Sequence, residues 1–184
     1  MSQPVPAAAP AWSALRASWL SVVVFAGVGG SFLLACSMPF VAVASIAALT
    51  MHWIDGIAAV LLVWLANQAI GFGLSYYPWT LDGLVWGTVT GLAALAALGA
   101  AAAFASPRPV RLGFSLPFVA AFAGYQLVLY EAGTWLNADP AAFSLAALRQ
   151  AFVVNLIAFA ALLILHAIAR ALGRTNPQTP YRFA

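Results

Sequence analysis

Charge is what this chain has least of. Charged residues make up 6% of its 184 residues, against about 25% in soluble domains. Lysine is missing altogether, and the seven basic residues are all arginine. So few charges exclude an ordinary soluble domain. The net charge of +3 gives no ground for a nucleic-acid partner, and its use is in topology. Cysteine is nearly absent too. Cys36 stands alone, which excludes an internal disulfide and a multi-cysteine metal cluster. There is no nucleophile elbow, no zinc-binding His-Glu helix and no phosphate loop. No catalytic motif therefore supports an enzyme, and the chain cannot drive transport by nucleotide hydrolysis itself.

What is present is hydrocarbon: 65% of the residues are hydrophobic. The fold class expected is an all-α integral membrane bundle of about six transmembrane helices, at roughly 20 residues each. Residues 1–14 read as a mobile Pro/Ala-rich tail, 15–172 as the membrane domain and 173–184 as a polar, basic tail. The first apolar run is long enough to stay as a span, so no cleaved signal peptide is expected. The spans fall at about 15–36, 40–51, 57–74, 81–105, 114–135 and 145–172. The second is too short for a full crossing at about 1.5 Å per residue, so it is tilted, thinned around or re-entrant. His52, Trp53 and Asp55 read as a polar break after it. Gly83, Gly87 and Gly91 stand in GxxxG register and predict a close neighbour for the fourth span.

The arginines orient the bundle. With six spans, Arg16, Arg108, Arg111, Arg170, Arg174 and Arg182 fall on one side. By the positive-inside rule that side, with both termini, is cytoplasmic. A bacterial inner membrane is the expected location. The turns near 37–39, 75–81 and 136–144 then face outward. They bring Cys36, Tyr76, Tyr77, Trp79, Glu131, Trp135, Asp139 and Arg149 to one outer mouth, with His52 and His166 on the inner side.

The stretch 64–79, WLANQAIGFGLSYYPW, is the most informative. Trp64, Asn67, Gln68, Gly71 and Ser75 follow the spacing of one helical face. A carboxamide in hydrocarbon must find a partner, because lipid supplies none. Asn67 and Gln68 are therefore either helix–helix glue or ligand contacts. Tyr76, Tyr77 and Trp79 are either interface anchors or the lip of a site. Gln126 and Tyr130 share a face of the fifth span, and Glu131 and Trp135 share the neighbouring one. Glu131 and Arg149 suggest an ion pair or a ligand clamp. Cys36 is either a small buried hydrophobe or a soft metal ligand. His52 and His166 are either packing residues or a pair that holds a haem.

Six short-looped helices, a short second one, inward termini and an outward mouth rich in Trp, Tyr, Asn and Gln resemble the substrate-binding S components of energy-coupling-factor vitamin transporters. The resemblance is architectural and spans about residues 15–172. It implies a transporter component that binds a vitamin-like ring compound from the outer face and moves it inward. Substrate contacts would come from Asn67, Gln68, Tyr76, Tyr77, Trp79, Gln126, Tyr130, Glu131 and Trp135. Ala26, Gly27, Gly30 and Ser31 are similar to the small-residue surface those proteins offer to a membrane coupling subunit. One sub-group handles cobalamin, and its solitary members ligand the cobalt with a cysteine, a part Cys36 would take. The alternative reading is a structural or haem-bearing membrane subunit of a redox complex, with haem at His52 and His166. A small metal-ion permease is a third, weakened by the scarcity of histidine and carboxylates.

Overall fold

The computed structural model describes residues 11–33, 39–74, 78–105 and 115–174. They form six α-helices: α1 (Ala11–Leu33), α2 (Phe40–Thr50), α3 (Trp53–Gly73), α4 (Leu81–Phe104), α5 (Ser115–Trp135) and α6 (Leu145–Arg174). A 3-10 turn, Pro140–Phe143, joins α5 to α6. No strand occurs among the described residues. Helices α3, α4 and α6 (over Leu145–Leu172) are long and apolar enough to cross a membrane. They mark the chain as a membrane protein.

Two boundaries differ from expectation. Helix α1 starts at Ala11, inside the stretch read as tail. Helix α3 starts at Trp53, so the polar break shrinks to His52, whose extended backbone (φ −65°, ψ 152°) serves as the N-cap. Asp55 belongs to the first turn of α3, where a carboxylate meets the positive end of the helix dipole.

The short helix α2 is the centre of the bundle. It is buried on all sides from Phe40 to Ala47, and it packs against α3, α4, α5 and α6. Its sequence, FVAVASIAALT, has no polar face, and a helix apolar all round must be enclosed. Ser45 and Thr50 return their hydroxyls to the carbonyls of Val41 and Ile46, both at 2.7 Å. Where lipid is as apolar as the side chains, close packing holds helices together, and the alanines of α2 permit that approach.

The surrounding helices close on one another through small residues. A Cβ on Gly124 of α5 would lie 3.1 Å from Ala100 Cβ of α4. The glycine ridge of α4 receives one stripe of α3. Cβ atoms on Gly91, Gly87 and Gly83 would meet Trp64 at 2.8 Å, Gln68 at 2.6 Å and Phe72 at 3.6 Å. The close neighbour expected for the GxxxG register is thus α3, packed antiparallel. Helix α1 rests mainly on α3. A Cβ on Gly27 would lie 3.0 Å from Val63 and 3.1 Å from Val43, so this glycine is used inside the chain. The surroundings of Gly30 and Ser31 lie outside what is described. Between α5 and α6 a phenylalanine layer fills the gap: Phe118 stacks on Phe159 at 5.0 Å, and Phe122 meets Phe152 at 5.1 Å.

Candidate functional site

The bundle has two unlike ends. At about 1.5 Å per residue, the 11 residues of α2 span about 16 Å and the 24 of α4 about 36 Å. The C-terminus of α2 is level with the end where α3 begins and α4 finishes, which we term the lower end. Gly56, for example, faces both Ala47 and Leu98. The N-terminus of α2 therefore stops partway up, and the long helices continue past it toward the upper end.

Asn155 marks that depth. It stands about 15 Å along α6 from Leu145. Its Oδ1 accepts from the backbone amides of Val41 at 3.1 Å and Ala42 at 3.3 Å. Its Nδ2 donates to Ala151 O at 3.0 Å. A helix starts with amides that lack intrahelical partners, and a side chain from a distant helix satisfies two of them here. The amide of Val43 makes the first bond of the helical ladder, to Pro39 O at 2.9 Å. The sequence offered only one signal for this role: a lone carboxamide in an apolar run. Tyr125 sits nearby, its ring 6.1 Å from that of Phe40.

The polar face expected on α3 divides into two. Successive residues on a helix differ by about 100°, and the two carboxamides meet different neighbours. Gln68 lies over Gly87 of α4, half-buried. Trp64, on the same stripe, donates its indole N–H to Gly87 O at 2.8 Å. Asn67 belongs with Val60, Val63 and Gly71 on the buried stripe, which meets α1 and α2 at Val63. Asn67 is 9% exposed, and its Oδ1 has no hydrogen-bond partner.

The remaining residues spread around the upper rim. Trp79 is 74% exposed and packs at 4.9 Å on Phe72. Trp135 is 83% exposed at the end of α5. Tyr130 is exposed, edge-on to Phe143 at 5.5 Å. Gln126 is half-buried. Glu131 and Arg149 are both exposed, and they form no ion pair with each other. Of the ion pair and the ligand clamp expected of them, the ion pair is absent. Asp139 instead caps the 3-10 turn, accepting from Ala141 N at 2.9 Å. Cys36, Tyr76 and Tyr77 lie outside the described residues.

Both histidines sit at the lower end. His166 packs on Trp19 at 4.9 Å, and Trp19 donates its indole N–H to Thr50 at 3.0 Å. His52 is exposed and lines a cleft of about 200 Å³ with Ala47, Met51, Trp53, Gly56 and Leu98. One face of His166 is thus taken by Trp19. Among the described residues, no three of His, Cys, Asp and Glu group as a metal site.

Chemically, this arrangement can bind and orient. Polar groups sit at the head of α2, and aromatic side chains stand on the rim above. No family model, curated protein or solved structure matches the chain.

Proposed function

We propose that the chain is a membrane transporter component that takes a vitamin-like ring compound at its upper end and moves it inward. The observation that carries this reading is the half-length central helix. It ends partway up the bundle with polar side chains at its head, Asn155 bonded to it and Asn67, its Oδ1 without a partner, at about the same depth. A few placed polar groups in an otherwise apolar enclosure suit a small-molecule site. Arginine supports the orientation. Helix α1 begins, α4 ends, α5 begins and α6 ends at the lower end, and in the sequence Arg16 falls early in α1, Arg108 and Arg111 between α4 and α5, and Arg170 and Arg174 at the end of α6. By the positive-inside rule the lower end, with both termini, faces the cytoplasm of a bacterial inner membrane.

In this reading Trp79, Tyr130 and Trp135 on the rim, with Tyr76 and Tyr77, cover the ring. Asn67, Gln68, Gln126 and Glu131 orient it. The corrinoid version adds Cys36 as a cobalt ligand, since a soft thiolate suits a transition metal. Gly27 already packs inside the chain, so a coupling subunit would use the rest of α1: Ala26, Gly30 and Ser31. The test is purification from native membranes in mild detergent, with mass spectrometry of bound small molecules and an absorbance scan. A ring-bearing vitamin supports the proposal. A haem Soret band with no such compound refutes it and favours the redox subunit.

A further inference from the structure

The polar atoms at the head of α2 are out of balance. Asn155 satisfies two amides there with its oxygen and spends its nitrogen on Ala151 O. Asn67 has a buried acceptor with nothing to accept from. Its position follows from register. Val63 packs beside Gly27 of α1, within reach of Val43 of α2. Asn67 is one turn further up α3, and Pro39, whose carbonyl opens α2, is one turn further up α2. The orphan oxygen therefore sits at about the depth of the first turn of α2. A buried acceptor without a donor is destabilising, and lipid offers no donor to relieve it.

Resting on the upper-end site proposed above, we infer that the ligand group reaching the head of α2 is an uncharged hydrogen-bond donor: an amide N–H, a ring N–H or a hydroxyl. A carboxylate or phosphate brings only acceptor oxygens, which leave the Asn67 Oδ1 without a donor. An ammonium brings donors, but it would meet the positive end of the α2 dipole and lose its water within the bundle. A neutral donor satisfies Asn67 and meets neither penalty.

The experiment uses the full chain in detergent and matched probes that differ at one donor. The pairs are nicotinamide with nicotinate, riboflavin with N3-methylriboflavin, and cyanocobalamin with a monocarboxylic acid made from one of its side-chain amides. Affinities are measured by calorimetry for wild type and Asn67→Leu. In the pair that binds, the donor-bearing member should be about tenfold or more tighter. That preference should vanish in Asn67→Leu. Equal affinity within the pair, or a preference that survives the substitution, overturns the inference and leaves the transport site standing. If no pair binds, the site and the inference fall together. A second readout needs no ligand. Unliganded Asn67→Leu should melt at or above the wild-type temperature, because an unpaired polar group is removed. A clear fall would show that Asn67 is a paired packing residue and would overturn the inference.

Discussion

Asn155→Leu is the sharpest test of the architecture. Leucine keeps much of the volume and removes both polar atoms. The amides of Val41 and Ala42 lose their shared acceptor, and their residues are 1% and 0% exposed. At about 1–3 kcal/mol for each buried donor left unsatisfied, the loss is about 2–6 kcal/mol. Interhelical side-chain bonds in membranes average only about 0.6 kcal/mol, because the freed groups usually find other partners. Here they are held in the first turn of an enclosed helix. The larger figure should therefore apply. On the scale of globular chains of this size, about 2–4 °C per kcal/mol, the melting temperature should fall by at least about 4 °C. The assay is thermal unfolding in detergent, with hydrogen exchange at Val41 and Ala42 read alongside. Asn155→Asp keeps the acceptor beside the helix N-terminus and should melt above the leucine variant. A leucine variant within about 1 °C of wild type, with those amides still protected, would refute the capping argument.

Three further outcomes follow from the same packing. Gly91→Ala should destabilise by about 1–3 kcal/mol and shift the tryptophan emission, because the new Cβ falls 2.8 Å from the rigid Trp64 ring; Gly87→Ala should cost less, since Gln68 can swing its side-chain end aside. In a Cys36→Ser background, Pro78→Cys should react with a membrane-impermeant thiol reagent in intact cells and Pro109→Cys should not; the reverse pattern would invert the proposed orientation. If Cys36 ligands a corrinoid cobalt, Cys36→Ala and Cys36→Ser should both change the visible spectrum of the bound corrinoid and weaken its binding, and an unchanged spectrum and affinity in both would end that role.

The sequence showed the elements better than their arrangement. Helix lengths follow from apolar runs and their breaks, so the short second helix could be anticipated from residues 40–51. Its central position could not, because a run apolar on every face says that it is enclosed without naming its neighbours. The glycine register announced a close contact, but only the fold shows that Trp64, Gln68 and Phe72 fill it. Spacing alone put Asn67 and Gln68 on one broad face. Packing separates them, because α4 meets one side of α3 while α1 and α2 meet the other. Glu131 and Arg149 looked like a pair because both lie near the same end of the bundle. An exposed pair is worth about 0–1 kcal/mol, too little to draw two mobile side chains together. Asn155 was visible only as one isolated carboxamide among several.

The division of α3 also explains how an unsatisfied oxygen can persist. A helix with a stray carboxamide would ordinarily rotate about its axis until the group found a partner. Rotation of α3 is opposed on the other stripe. Trp64 is seated over Gly91 and bonded to Gly87 O, and Gln68 and Phe72 lie along the same glycine ridge. Turning Asn67 toward α4 by about 100° would lift the indole from its acceptor and leave the ridge open, losing a hydrogen bond of about 1 kcal/mol together with the packing along three turns. On the opposite side, the contact of Gly27 with Val63 leaves no room to slide toward α1. The glycine ridge thus fixes the azimuth of α3, and the cost of Asn67 is borne by the rest of the helix. Crowding the ridge with Gly91→Ala, which pushes Trp64 off its seat, should therefore disturb Asn67 as well, although Gly91 packs on Trp64, on the other stripe of α3.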